Sequence, residues 1–156
     1  MESETLGMAL ELEHREIDGG IEAFVVSLDG PELARPVPLL AALSGLRRHI
    51  YLEEEFLFPP LKTAGLMGPI FVMLREHGLL WKQMDTIECL LAGSADAVTL
   101  RTACTALLEL LDAHNSKEEP IIYTQADGIL DEAATGELLL FLTQGTTPEG
   151  WVCSAA

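Results

Sequence analysis

Residues 49–60 read HIYLEEEFLFPP and residues 114–120 read HNSKEEP. Each stretch carries the unit HxxxEE, and a proline follows shortly after, Pro59 in the first and Pro120 in the second. Residues at i and i+4 lie on one face of an α-helix, about 6 Å apart along its axis, so each unit turns an imidazole and a carboxylate toward the same spot. His49 is paired in this way with Glu53, and His114 with Glu118. The other two histidines, His14 and His77, share a different text, Glu13-His14 and Glu76-His77, with no carboxylate common to both at i+4. His14 precedes His49 by 35 residues and His77 precedes His114 by 37, so the chain reads as two copies of one helical hairpin.

Outward from these units, apolar residues recur at helical spacing almost throughout and β-branched alternation is nearly absent, which predicts an all-α fold. A first helix is expected from about Ser3 to Leu28, with Leu6, Leu10, Ile17, Ile21 and Phe24 on one face and Asp29-Gly30-Pro31 as its stop. A second starts near Pro36 to Pro38 and runs through Leu46, Ile50 and Leu57 until Pro59-Pro60 ends or bends it. A third opens after Gly65 to Pro69 and continues through Phe71, Leu74, Leu79 and Ile87 to Gly93-Ser94. The fourth runs from near Ala95 through Leu100, Leu107 and Leu111 to Glu119, with a kink at Pro120, and a shorter helix covers about Asp131 to Leu142. Short connections between long amphipathic helices imply an up-down-up-down four-helix bundle with a short extra C-terminal helix. Residues 1–144 form one domain on this reading, and residues 145–156, of turn composition, form a peripheral C-terminal tail. Gly19-Gly20, inside the first helix, costs about 1 kcal/mol per glycine relative to Ala, which predicts a kink or a need for space there.

The depths of the histidines agree across each hairpin. His14 stands ~22 Å from the turn at Asp29 and His49 ~20 Å from Pro36, at 1.5 Å per residue. The second hairpin matches within about a turn, so all four imidazoles can share one level of the bundle.

Composition narrows the partners. The chain has 156 residues, 49% of them hydrophobic, with 9 Lys and Arg against 25 Asp and Glu and a formal charge of -16. No basic surface is available to neutralise phosphates or anionic lipid headgroups, so neither nucleic acid nor a membrane surface is expected as a partner. Charge, Pro or Gly interrupts every apolar stretch short of a membrane span, and Met1 to Thr5 lack a basic leader. Cys89, Cys104 and Cys153 form no CxxC pair and leave an odd thiol under any pairing. A cytoplasmic, reducing location follows as the expectation. Cys89 and Cys104 are expected to pack as small apolar residues, and the spare acidic residues, Glu54 and Glu55 among them, to be solvated.

Four histidines with Glu53 and Glu118 offer two nitrogens per metal and two carboxylates able to bridge, a donor set suited to a pair of Fe or Mn ions. A lone structural Zn would use four ligands and strand two polar groups in an apolar core. The succession H, HxxxE, H, HxxxE, with ELEH at 11–14... in the first helix, HIYLEEEFLFP in the second, REH in the third and HNSKEEP in the fourth, resembles the hemerythrin-like, HHE cation-binding family over about Leu10 to Pro120. That resemblance implies a non-haem di-iron centre with His14, His49, His77 and His114 as nitrogen ligands and Glu53 and Glu118 as bridging carboxylates, Glu119 standing in reserve for Glu118. Oxygen carriers of the family place a further His one turn after the third-helix His and an Asp one residue later on the fourth helix; here those positions hold Trp81 and Glu119. The resemblance therefore implies open positions on both irons for a small ligand, peroxide, nitric oxide or dioxygen, and a redox protein more than a stable oxygen carrier. The alternative is a reversible dioxygen or iron sensor or carrier without turnover. Relatives in iron–sulfur cluster repair carry an extra N-terminal domain that is not visible here, which favours small-oxidant chemistry.

Asp18, at i+4 from His14, is expected to be solvated or to orient a histidine. Tyr51 and Tyr123 fall roughly opposite the His49 and His114 faces at 100° per residue and are expected outside the site. Trp81 lies on the His77 face and either caps the site or fills the core.

Overall fold

The computed structural model describes residues 4–30 and 35–156, and the described residues form helices and turns without a strand. Helix α1 spans Leu6–Ser27, and Thr5 caps it by accepting from the Met8 N–H at 3.1 Å. The start expected at Ser3 and the stop at Pro31 lie outside the described residues. Helix α2 spans Val37–Leu52 and has proline in its first turn, where the missing N–H costs nothing. Helix α3 covers Phe58–Thr63, α4 Met67–Ala92 and α5 Ala97–Lys117, the last capped by Asp96, which accepts from the Thr99 N–H at 2.8 Å. Helix α6 is Thr124–Ile129, and α7 is Glu132–Gln144, capped by Asp131.

The two prolines after the HxxxEE units do not simply end or kink their helices. Glu53–Leu57 and Glu118–Tyr123 are wound as π-helix, continuous with α2 and α3 on one side and with α5 and α6 on the other. Proline supplies no N–H to the i−4 carbonyl and its ring crowds that carbonyl, so the preceding turn widens to i→i+5 bonding; Phe58 N–H closes on Glu53 C=O in this way.

Helix α1 packs along α2, α4 along α5, α1 along α5, and α2 against α4. Their inward faces make two apolar clusters. One holds Ile17, Phe24, Leu46, Ile50, Leu80 and Leu111, and the other Leu10, Leu52, Phe58, Met73 and Ile122. On each of the four long helices the histidine falls where the core passes from one cluster to the other, between Leu10 and Ile17, Leu46 and Leu52, Met73 and Leu80, and Leu111 and Ile122. The histidines thus form one polar layer across an apolar interior.

Gly20 serves helix packing: a Cβ there would meet Ala42 Cβ and the Pro38 carbonyl oxygen at 2.9 Å, so the glycine lets α1 approach α2. The tail is not peripheral. Cys153 is 2% exposed in the first cluster, Trp151 stacks edge-on against Trp81 with centroids 5.6 Å apart, and Gly78 leaves the room in which Ala155 lies against α4. Turn composition hid this docking because single anchoring residues carry no period. Cys104 is buried as expected, whereas Cys89 is exposed; all three cysteines are free thiols. No described helix is long and apolar enough to cross a membrane.

Candidate metal centre

His14, His49, His77, His114, Glu53 and Glu118 meet in the polar layer, each 3% exposed or less. Glu53 turns Oε2 toward His49 Nε2 at 3.4 Å and Oε1 toward His77 Nε2 at 3.1 Å. Glu118 turns Oε1 toward His14 Nε2 at 3.2 Å and Oε2 toward His114 Nε2 at 3.2 Å. Two donor groups result, His14/His49/Glu53/Glu118 and Glu53/His77/His114/Glu118, and the donor atoms of each lie within 4.8 Å of one another. Each glutamate faces one oxygen to each group.

The outer nitrogens of the imidazoles are all engaged by carboxylates. His14 Nδ1 donates to Glu119 at 2.9 Å, His49 Nδ1 to Glu13 at 2.9 Å, His77 Nδ1 to Glu54 at 2.7 Å and His114 Nδ1 to Glu76 at 2.9 Å. These bonds form a circuit: α1 holds a histidine of α2, the first π segment holds one of α4, α4 holds one of α5, and the second π segment returns to α1. With every Nδ1 bonded outward to a carboxylate, every Nε2 is left facing the centre, where it can take a proton or a cation. Glu119 thus accepts from the outer nitrogen of His14, whereas Glu118 belongs to both donor groups. Glu54, expected to be solvated, is instead 5% exposed at its side chain, because the first π turn carries it toward α4. Ser154 N–H donates to the other Glu54 oxygen at 2.9 Å, so the tail braces it.

Tyr123 is the residue that reasoning at 100° per residue misplaces. In a π turn the residue at i+5 sits over residue i, whereas an α-helix would rotate it by about 140°. Tyr123 consequently returns over Glu118, is 1% exposed, and sets its hydroxyl 2.9 Å from His14 Nε2 and from His49 Nε2 and 2.8 Å from Glu53 Oε2 and Glu118 Oε1. The signal available in the sequence was Pro120. Tyr51 stays outside, packed among Phe56, Phe141 and Trp151. Trp81 fills the core, with the Arg47 guanidinium 5.1 Å from its ring. Asp18 is half-buried in an acidic hollow with Asp112, Asn115 and Glu119 beside His14 and does not reach the donor groups.

The charges in this layer demand a cation. Burial opposes ionisation of Glu118, yet the His114 and His14 imidazoles outweigh it and hold the carboxyl well below its ordinary range. Burial likewise disfavours charging His114, but Glu118 and Glu76 push it up to about 10. Burial, together with the neighbouring Glu118 and Glu53 charges, holds the Tyr123 hydroxyl well above its ordinary range. In the metal-free protein, protons thus stand in for positive charge. His14 Nε2 and His49 Nε2 lie 3.0 Å apart, a distance that two bare lone pairs cannot share without a proton or a cation between them. On the other side Glu53 Oε1, His77 Nε2 and Glu118 Oε2 are buried without a hydrogen-bond partner. Buried polar atoms are rarely left so, and the orphaned atoms converge from three elements on one point. The residues present fit a bound metal.

A helical protein whose interior layer presents His/Glu donor groups to a cation defines a class of metal-binding proteins. The hemerythrin HHE cation-binding domain model matches residues 8–126, and the chain belongs to that family. Among curated proteins it is similar to the iron-sulfur cluster repair proteins YtfE of Yersinia pestis (strain Pestoides F) and of Yersinia pseudotuberculosis serotype O:1b (strain IP 31758). The match to each is 40% identical over 53 residues, 32% of this chain and 24% of the relative. The chain thus spans about a quarter of the length of those relatives in the match. No solved structure matches.

The brace on His77 makes one prediction. Glu54→Ala frees that imidazole and is expected to weaken metal binding by about 10- to 100-fold in a chelator competition, the usual cost of losing an orienting carboxylate. Glu55→Ala, next along the chain but exposed and accepting from Trp151 Nε1, should change it far less. Equal losses in the two variants would refute the orienting role of Glu54.

Proposed function

We propose that the chain is a non-haem di-iron protein that binds and reacts with a small oxidant. The observation that carries this reading is the pair of donor groups sharing Glu53 and Glu118, with one oxygen of each carboxylate facing each group. His14 and His49 would hold one iron, His77 and His114 the other, and Glu53 and Glu118 would bridge them. Such a pair supplies electron exchange and open coordination positions at which peroxide, nitric oxide or dioxygen can bind. The family and the iron–sulfur repair relatives support iron as the metal.

The protein's own residues prepare the site. The four outer carboxylates fix each imidazole's tautomer and direction, so the donors are held in place before metal arrives. The apolar clusters on either side exclude water, which strengthens every interaction inside the layer. Trp81 occupies the turn where oxygen carriers of the family have another imidazole, and as a core side chain it brings no donor to the His77 side. In this reading the long helices form the up-down-up-down bundle, the protein works in the cytoplasm, and its partner is a small diatomic or peroxide ligand.

The deciding experiment is metal analysis of protein produced with iron supplied. Close to two irons per chain, with the near-ultraviolet absorption of a carboxylate- or oxo-bridged ferric pair, is the expected result. Less than half an iron per chain, with no other transition metal in its place, overturns the reading.

A further inference from the structure

The Tyr123 hydroxyl has more close partners than hydrogen bonding accommodates. A phenolic oxygen donates one hydrogen bond and accepts two, yet Oη stands 2.8–2.9 Å from four polar atoms, two of them carboxylate oxygens that can only accept. Glu53 and Glu118 cannot both receive its single proton.

The same distances describe a coordination polyhedron. In an octahedral site with bonds of about 2.1 Å, adjacent donors lie about 3.0 Å apart and opposite donors about 4.2 Å apart. Around the first donor group the adjacent separations are 3.0 Å for His14 and His49, 3.2 Å for His14 and Glu118, and 3.4 Å for His49 and Glu53. Across the group, His49 Nε2 and Glu118 Oε1 are 4.0 Å apart. These separations match three edges and one diagonal of the square face of such a polyhedron, and Oη stands nearly equidistant from all four atoms. A donor so placed stands about 2 Å above the centre of the square, the length of a metal–oxygen bond.

We propose that Tyr123 is a phenolate ligand of the metal held by His14, His49, Glu53 and Glu118, so that the two metals of the centre are unlike. The inference rests on the di-metal reading above and adds a fifth protein donor to one ion only. Among the described residues no tyrosine or other hydroxyl is hydrogen-bonded to the other group, where Glu53 Oε1, His77 Nε2 and Glu118 Oε2 face one another without a hydrogen-bond partner. As the metal–oxygen bond forms, the phenolic proton leaves for solvent; a multivalent cation in the square reverses the field that the two carboxylates impose on the hydroxyl. The Tyr123-bound metal keeps a single open position, and the small ligand is directed to the metal held by His77 and His114. The second π turn exists, on this account, to bring a tyrosine back over Glu118 as a donor.

The test is optical and does not depend on turnover. Iron-loaded protein oxidised with ferricyanide should be coloured, with a visible phenolate-to-ferric charge-transfer band, and excitation in that band should enhance tyrosine ring vibrations in the Raman spectrum. Tyr123→Phe, which removes only the oxygen, should abolish the band, while Tyr51→Phe should leave it. Two bound irons with no such band in the wild type, or a band that survives Tyr123→Phe, overturn Tyr123 ligation and leave the di-iron reading standing. Absence of bound metal in the wild type overturns both. Because the wild-type spectrum is itself decisive, poor folding of the Phe variant would not protect the proposal.

Discussion

Stripping the metal should lower the melting temperature by about 8–16 °C. A ligand present at a thousand times its dissociation constant stabilises the native state by about 4 kcal/mol, and in a domain of this size each kcal/mol moves the midpoint by about 2–4 °C. The structural ground is the charge balance of the layer: without metal, two buried carboxylates and four inward-facing imidazoles are compensated by protons alone, and three buried polar atoms have no partner. Calorimetry of chelator-treated and reloaded protein at one pH measures the shift. A midpoint unchanged within a degree or two would show that the six residues do not share a metal.

Glu118→Ala, like Glu53→Ala, should have a larger effect than loss of any one histidine of the site. Its carboxylate gives one oxygen to each donor group, so its loss removes a donor from both at once. Metal content should fall below half of the wild-type value. The metal-free variant should also lose about 3–5 kcal/mol of unfolding free energy, the usual cost of deleting one partner from a buried charged network. Glu119→Ala releases only the His14 ring from its outer partner and should act as Glu54→Ala does, on affinity more than on the number of metals bound. Equal metal content in the two variants would reverse the assignment of Glu118 and Glu119.

The helices and the meeting of the six residues were legible because both follow from fixed spacings. Leu10, Ile17, Ile21 and Phe24 mark the inner face of α1, and the equal depths of His14 and His49 in their helices place them at one level. What spacing at 100° per residue could not carry was the change of winding after each HxxxEE unit. That change depends on which carbonyls Pro59, Pro60 and Pro120 leave without a donor, and it moved Glu54 and Tyr123 from the expected outside of the helix to the inside of the protein. The tail was illegible for a different reason. Cys153, buried, and Trp151, partly buried, dock one at a time against surfaces made by distant parts of the chain, so no local pattern announces them.

The circuit of carboxylate–imidazole bonds also bears on the order in which the molecule can come together. Three of its links span 36, 23 and 38 residues, but the fourth, from Glu119 to His14, spans 105 and joins the first long helix to the π segment that follows α5. A folding intermediate with only α1 and α2 docked has His14, His49 and Glu53 but neither Glu118 nor the orienting partner of His14. Both donor groups need Glu118, so neither is complete until the second hairpin has closed on the first and the entropy of the longest loop has been lost. On the proposed metal reading, full stabilisation by metal is therefore expected only for the finished fold, and complete loading is expected to follow closure of the second hairpin.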